Sequence, residues 1–288
     1  MKPFSYHKAT SIEDAITQRA ATGARLLAGG TDLIAQMKAG SRTPDVVVDV
    51  KGVAELNQIA TGGDGELIIG AAVSAARLAR EARIKTHHPG LHDALGMIGS
   101  RQIQNRASLG GNICNAAPSA DAVPPLIADG ARADIIGAGG KRRQVELSEI
   151  FAGPGRTTLG DDELLVAIIL PKPDDHAGAA YIRFTPRREM DIAVVGAAAR
   201  LSVDGSGVIK AARIALASVA PTPVRAPSAE ARLIGGHLSA ELFQKAGAAA
   251  QDDATPISDT RGSAAYRKDL IAVLVERALQ RAADRISA

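Results

Sequence analysis

The chain has 288 residues, comfortable for two domains, and its 46% hydrophobic and 23% charged content is that of an ordinary globular protein. Lys plus Arg is 34 against 31 for Asp plus Glu, a net charge of +3, and aromatics are 2%. Nucleic-acid binders cluster basic residues and supply aromatic stacking platforms; here the one basic run is Lys141-Arg142-Arg143, so no nucleic-acid partner is expected. No run of about 18 apolar residues marks a membrane span. No basic start with an apolar core marks a secretory signal. The single cysteine, Cys114, excludes an internal disulfide framework and an iron–sulfur cluster held by this chain alone. A cytoplasmic location is expected.

Phe4 to Lys8 reads as a short strand. Ser11 caps a helix, with Asp14 three residues later as the acidic member of a capping box. Arg25 to Ala28 reads as a strand running into Gly29-Gly30. The β-branched run Pro44 to Val50 reads as a buried strand. Leu67 to Ala71 is another, followed by Ser74 as N-cap of a short helix. This alternation is an α/β pattern. Around Pro171 to His176 the composition turns to Pro, Asp and Gly. Beyond it, Ala193 to Val203 and Val208 to Val219 predict a β-hairpin around the loop Asp204-Gly205-Ser206-Gly207. Three helices follow, near Ser228 to Gly235, Ser239 to Ala249 and Ser263 to Ile286. The last carries apolar residues at 270, 271, 274, 275, 278 and 279, close to one helical face. The expected division is an α/β domain over residues 1–175 and an α+β domain over residues 176–288, a sheet with helices on one side.

Leu27-Ala28-Gly29-Gly30-Thr31-Asp32-Leu33 places two glycines between strand and helix. Glycine reaches φ > 0 and lets a ligand approach bare backbone. Inward N–H groups ahead of a helix suit a pyrophosphate. Thr31 and Asp32 are candidate helix caps, and Thr31 is the better phosphate neighbour because Asp repels an anion. The same residues also suit a plain strand–turn–helix. The second segment, Arg106 to Asp121, reads as irregular and unlike core: Gly110-Gly111 among polar residues, no evident helix or strand, and Pro118 against helix. Long irregular stretches in compact domains usually carry function. Ser108, Asn112, Asn115, Ser119 and Asp121 supply hydroxyls, amides and one carboxylate, which suit a ribityl chain and flavin edge better than a metal. A structural Ω-loop is the alternative.

Taken in order, several motifs resemble the FAD-binding medium subunit of the molybdenum hydroxylases, the family of aerobic carbon monoxide dehydrogenase and xanthine dehydrogenase. They are Ala28-Gly29-Gly30-Thr31-Asp32, Arg101-Gln102-Ile103-Gln104-Asn105-Arg106, Leu109-Gly110-Gly111-Asn112, Pro118, Asp121 and Arg187-Arg188-Glu189-Met190-Asp191-Ile192-Ala193. The resemblance covers nearly the whole chain. It implies an N-terminal FAD-binding domain of vanillyl-alcohol-oxidase type and the C-terminal domain characteristic of these subunits. It implies non-covalent FAD, with Leu26, Leu27, Ala28, Gly29, Gly30, Thr31, Asp32 and Leu33 along the pyrophosphate and Ile98 and Gly99 near one end of the cofactor. Ser108, Gly110, Gly111, Asn112, Asn115 and Asp121 continue the cradle, with Asp121 on a ribose or ribityl hydroxyl. Leu164 and Leu165 pack on adenine, and Arg183 contacts the flavin where relatives often carry Lys. The resemblance further implies a large subunit with a molybdenum-pterin cofactor and a small subunit with [2Fe–2S] clusters, in a heterotrimer or a dimer of heterotrimers. Electrons then pass from the clusters through FAD to a final acceptor, and this chain needs no catalytic acid or base. Some relatives carry His-Ser where this chain has Thr31-Asp32. Certain xanthine dehydrogenases carry an acidic residue where it has Met190, which leaves the acceptor open.

Other motifs point elsewhere only weakly. His87-His88 lacks further ligands at metal spacing and reads as a polar helix start. Cys114 reads as an inert buried thiol. Gly139-Gly140 with Lys141 to Arg143 reads as a solvated turn. Arg187-Arg188 suits either a phosphate grip or a surface pair with Glu189 or Asp191. No P-loop, zincin or nucleophile-elbow motif is present. A self-contained FAD-dependent oxidase or reductase is the alternative function, and a non-catalytic nucleotide-binding or scaffold protein is a third. An oxidase needs acid–base groups over the flavin, and beyond residue 175 the only histidines are His176 and His237.

Overall fold

The structure, a computed structural model, describes residues 1–286. Three parallel strands open the chain, with Val46–Asp49 between Ser5–Lys8 and Ala24–Leu27. They match the three strands expected at Phe4 to Lys8, Arg25 to Ala28 and Pro44 to Val50. The helix Ile12–Arg19 lies between the first two in sequence. The Ser11 hydroxyl caps it by accepting the Asp14 N–H at 3.1 Å. Asp14 reaches back to the Thr10 N–H at 2.9 Å, one residue before the cap. Ile12, Ala15 and Ile16 close a small core against Val48.

A second sheet of five antiparallel strands runs in the order Ile59–Thr61, Leu67–Gly70, Leu164–Leu170, Arg132–Ile136, Arg142–Glu146. Leu164–Leu170 is buried at every residue, so it shows no polar alternation. Gly139 and Gly140, both at positive φ, make the exposed turn between the last two strands. Short helices fill the chain between Leu67–Gly70 and Arg132–Ile136: Ala75–Leu78, Ala82–His87, Pro89–Met97, Arg101–Gln104, Leu109–Cys114 and Val123–Ala128.

Two expectations need correction here. The stretch from Arg106 to Asp121 is not irregular throughout, because Ser108 accepts the Gly111 N–H at 3.0 Å and caps the helix Leu109–Cys114. Leu109 and Ile113 sit in the main core. A six-residue helix buries too few side chains for its periodicity to stand out. His88 does stand at a helix start, but it is buried. It is 2% exposed, it ends one helix and begins the next, and its Nδ1 lies 3.0 Å from Asp129.

From Ala177 the chain forms four antiparallel strands in sequence order, Ala177–Phe184, Val195–Val203, Ile209–Ala217 and Val224–Arg225. The Asp204 carboxylate accepts the N–H groups of Ser206 at 2.8 Å and Val208 at 3.1 Å and fixes the hairpin loop. Helices Pro227–Leu233, Ala240–Ala249 and Ala264–Ile286 cover one face. The other face is covered too, since Tyr181, Ala198 and Ala215 enter the core shared with Pro89–Met97 and Val123–Ala128. The sheet expected to have helices on one side is therefore a middle layer. Val195–Val203 is buried at all nine residues for that reason.

Three carboxylates from the N-terminal layers cross this seam to arginines of the C-terminal ones. Asp93 accepts from Arg285 at 2.8 and 2.9 Å and from Arg281 at 3.3 Å. Asp129 accepts from Arg200 at 3.2 Å, and Asp121 pairs with Arg183. Glycine sets the layer spacing. A Cβ at Gly178 would strike the Ala282 carbonyl of the long helix. Gly178→Ala is expected to cost about 1–3 kcal/mol, measured by denaturant unfolding, because helix and strand cannot separate without breaking packing. Gly205→Ala, at an open hairpin tip, is the matched control with little effect.

Candidate functional site

A cavity of about 940 Å³ opens between the turn after Ala24–Leu27, the segment from Ile98 to Asp121, and the inner end of Leu164–Leu170. That is the upper end of small-molecule sites. Its first wall is the Gly29-Gly30 turn. Among the described residues no protein acceptor takes the N–H groups of Gly29, Gly30, Thr31 or Asp32. Successive free N–H groups in a turn form an anion-binding nest. Gly30 holds φ +78°, and a Cβ at Gly29 would strike the Arg106 carbonyl.

The expected capping by Thr31 or Asp32 does not occur. Asp32 stands at the N-cap of Leu33–Ala39 with helical φ −94° and ψ −51° and makes no side-chain cap bond. Capping needs extended backbone at that position. Both residues open to the cavity instead, where burial pushes the Asp32 carboxyl up.

The second wall comes from Ile98, Gly99, Ser108, Gly110, Gly111, Asn112 and Asn115. The Gln36 amide donates to Asn115 Oδ1 at 3.1 Å and ties this wall to the first. Asn112 Oδ1 is buried and has no hydrogen-bond partner. A buried acceptor left unpaired is costly, so this atom marks where a ligand donor belongs. Gly110 meets a second demand besides lining the cavity. A Cβ there would lie 2.6 Å from that of Ala71, so the protein's own packing demands the glycine. Leu26, Ala28, Leu33, Leu56, Leu159, Leu164 and Leu165 supply the apolar part.

Of the residues expected to hold the cofactor, all but Leu27 and Arg183 line this cavity. Leu27 stands behind the turn, its side chain under Gly30. Arg183 is spent on Asp121. Asp121 does line the cavity, but Tyr181 donates to one of its oxygens at 2.8 Å and Arg183 to the other. Burial pushes this carboxyl up to about 6, against the opposing Arg183 charge and the Tyr181 bond. Cys114, expected to be buried, is exposed to the cavity, where the surrounding protein still desolvates its thiol and pushes it up to about 12. Arg187 lies 3.4 Å from Asp191, a surface pair. Among the described residues no group of three or more side chains could hold a metal.

Sequence reasoning missed Tyr181, Gln36 and the arginines 19, 25, 42 and 156 that also line or support the cavity. For Tyr181 a signal existed, since it and Arg183 share one face of a strand at i and i+2. The arginines lie far apart in sequence and carry no local signal.

The residues present fit FAD. Free N–H groups suit a pyrophosphate, the unpaired Asn112 acceptor suits a ligand donor, and the leucines suit the faces of flat rings. This fold and site define the class: the chain belongs to the FAD-binding flavoprotein subunits of the molybdopterin dehydrogenases. Residues 2–173 match the FAD binding domain in molybdopterin dehydrogenase, and residues 180–282 the CO dehydrogenase flavoprotein C-terminal domain. Its cofactor is FAD, and it is the flavoprotein component of an oxidoreductase. Among its relatives is the xanthine dehydrogenase FAD-binding subunit of Escherichia coli O157:H7, 35% identical over 96% of this chain and 95% of that one. The carbon monoxide dehydrogenase medium chain of Afipia carboxidovorans is 33% identical over 97% of this chain and 96% of its own. The solved carbon monoxide dehydrogenase of Hydrogenophaga pseudoflava matches with TM-score 0.93 and 33% identity over 99% of both chains. Quinoline 2-oxidoreductase of Pseudomonas putida 86 matches with TM-score 0.92 and 29% identity over the whole of both. No helix of the described residues is long and apolar enough to cross a membrane.

Two outcomes follow from this geometry. Asn112→Ala should weaken FAD binding by about 1–3 kcal/mol, read by titration of the flavin-free chain, because a ligand donor is left unpaired. Asp121 titrates above the usual carboxylate value, so its stabilising contribution is full at low pH and is lost as pH rises through about 6. In unfolding curves of the flavin-free chain between roughly pH 4 and 7, Asp121→Asn should remove up to about 3 kcal/mol of that pH dependence.

Proposed function

We propose that this chain is the electron-transfer subunit of a heteromeric molybdenum hydroxylase. It takes electrons from [2Fe–2S] clusters of a small subunit and passes them through FAD to a final acceptor, while a large subunit carries the molybdenum-pterin cofactor. The observation that carries the proposal is a cofactor cradle without an acid–base constellation. Free N–H groups from Gly29 to Asp32 and the unpaired Asn112 carbonyl share one cavity. No histidine lines it, and its most buried carboxyl, Asp121, is already held by Tyr181 and Arg183. The relatives' names, which include xanthine, carbon monoxide and nicotinate dehydrogenase subunits, support the same placement.

In this proposal the turn from Leu26 to Leu33 holds the pyrophosphate, and Leu164 and Leu165 pack on adenine. Ile98, Gly99, Ser108 and Gly110 to Asn115 frame the flavin half. Arg183 acts through Asp121 and not by touching the ring. When bound, FAD supplies the one- and two-electron chemistry, and the protein fixes its position and surroundings. The small subunit docks on the outer side of residues 100 to 121, where Arg101, Gln102, Asn105 and Arg106 are exposed within reach of the cavity wall. The assembly is a heterotrimer or a dimer of heterotrimers, and one free thiol suits a reducing cytoplasm.

Reconstitution tests this. The purified chain should carry about one FAD that acid precipitation releases. It should turn over no aldehyde, purine or N-heterocycle until the co-encoded subunits are added. Turnover by the chain alone would promote the self-contained oxidase, and a chain that takes up no flavin would leave only a scaffold role.

A further inference from the structure

Four non-glycine residues among those described hold positive φ: Ala116 at 48°, His176 at 55°, Met190 at 53° and Ser218 at 65°. Three of them belong to one region. Ala116 lies between the lining residues Asn115 and Ala117, and Met190 lines the cavity itself. Ser218 donates its N–H to the Pro118 carbonyl at 2.8 Å, next to the lining residue Ser119. Left-handed backbone is sparsely populated in residues with a Cβ, and such residues gather at functional sites.

The loop 185–192 joins the strands Ala177–Phe184 and Val195–Val203 and brings Met190, Asp191 and Ile192 to the cavity. Its hydrogen bonds are mostly internal. The Asp191 carboxylate accepts the Arg187 N–H at 3.0 Å and the Ile192 N–H at 2.9 Å, and Thr185 donates to the Arg187 carbonyl at 2.6 Å. Among the described residues its one bond to the cavity wall is long, from the Met190 N–H to the Gly99 carbonyl at 3.4 Å. A loop bonded to itself moves as a unit, so its stem decides where it lies.

The C-terminal layers hold that stem. Ser218 donates its hydroxyl to the Ala193 carbonyl at 2.8 Å. Arg267, 3% exposed on the helix Ala264–Ile286, donates to the Val194 carbonyl at 2.7 Å and to the Ser218 carbonyl at 2.9 Å. Its other terminal nitrogen donates to Asp259 at 2.7 Å. The N–H, hydroxyl and carbonyl of Ser218 thus meet three segments: the cavity wall, the loop stem and the long helix. Neither Ser218 nor Arg267 lines the cavity.

We propose that Ser218 is a positioning residue for the cofactor site. Clamped by Arg267, it sets how closely the loop 185–192 covers the cavity, and so how freely small solutes reach the bound flavin. The solute-access half rests on the FAD assignment, and the clamp itself does not.

Ser218→Gly and Ser218→Ala both delete the hydroxyl, and the glycine also accepts positive φ without strain. Ser206→Gly, at the exposed hairpin tip, is the matched control. In the FAD-loaded chain, iodide should quench flavin fluorescence about two- to threefold more efficiently in both Ser218 variants, because a loosened loop admits solvent. In the flavin-free chain, amide hydrogen exchange across residues 185–192 should quicken about tenfold in both. Ser206→Gly should match wild type in both readouts. Ser218→Gly should melt within about 2 °C of wild type. Wild-type quenching and exchange in both variants would overturn the proposal, even with a lowered melting temperature, since that is the pattern of a merely structural serine. Changes in Ser218→Gly alone would also overturn it, by assigning the effect to backbone freedom and not to the hydroxyl. Faster exchange without added quenching would overturn the access role. A wild-type chain that takes up no FAD would overturn the cofactor assignment and the access role with it, and exchange would then decide the clamp.

Discussion

At Gly29 the first turn lies so close to the backbone of Arg106 and Ala107 that no Cβ fits between them. The same closeness recurs where Gly110 meets Ala71 and where Gly70 meets Leu56. Hydrogen bonds run alongside these contacts. The Ala75 N–H donates to the Ala107 carbonyl at 2.9 Å, the Leu109 N–H to Val73 at 3.1 Å, and the Gly110 N–H to Ala71 at 2.9 Å. The parallel sheet, the antiparallel sheet and the short helices between them are thus joined backbone to backbone. Side chains have rotamers and can adjust, whereas backbone joined this way has no such slack. The nest at Gly29–Asp32 and the Asn112 carbonyl therefore keep a fixed separation, which presets the span of a flexible dinucleotide.

The C-terminal sheet is the second constraint, and it reaches the cavity through one side chain. Tyr181 is fully buried in the shared core, and its hydroxyl occupies the space a Cβ at Gly196 would need. From there it donates to Asp121 at 2.8 Å. A carboxylate so deeply buried is disfavoured, and the raised pKa of Asp121 shows that Arg183 and Tyr181 offset the burial only in part. Breaking a buried pair of this kind costs about 3–5 kcal/mol. The seam between the N-terminal layers and the sheet is therefore locked at the point where it touches the site.

Much of the fold was legible because local chemistry and tertiary placement agreed. Val46–Asp49 announces itself by β-branching, the hairpin around Asp204 by its turn residues, and Ala264–Ile286 by its apolar spacing. Legibility failed where burial came from elsewhere in the chain. Nothing near Val195–Val203 says that its second face meets Pro89–Met97 and Val123–Ala128. The helix Leu109–Cys114 was hidden because its two glycines and Asn112 are poor helix formers held by Ser108 and tertiary contacts. Both glycine motifs line the one cavity, and Gly110 also serves its neighbour Ala71. Residue type showed that glycine was needed, and only the coordinates showed by what.

The charge layout of the cavity gives the site a direction. One end gathers arginines with little compensation. The middle offers neutral N–H groups at the turn. The other end holds a balanced trio of Asp121, Tyr181 and Arg183 beside the uncharged amides of Asn112 and Asn115. A molecule with its anionic charge in the middle matches the free N–H groups there, and the two ends of the cavity differ in the groups they offer a neutral ring. Rigid backbone contacts fix where the nest and the Asn112 acceptor stand, and the amide end of the cavity lies beside the exposed face of residues 100 to 106.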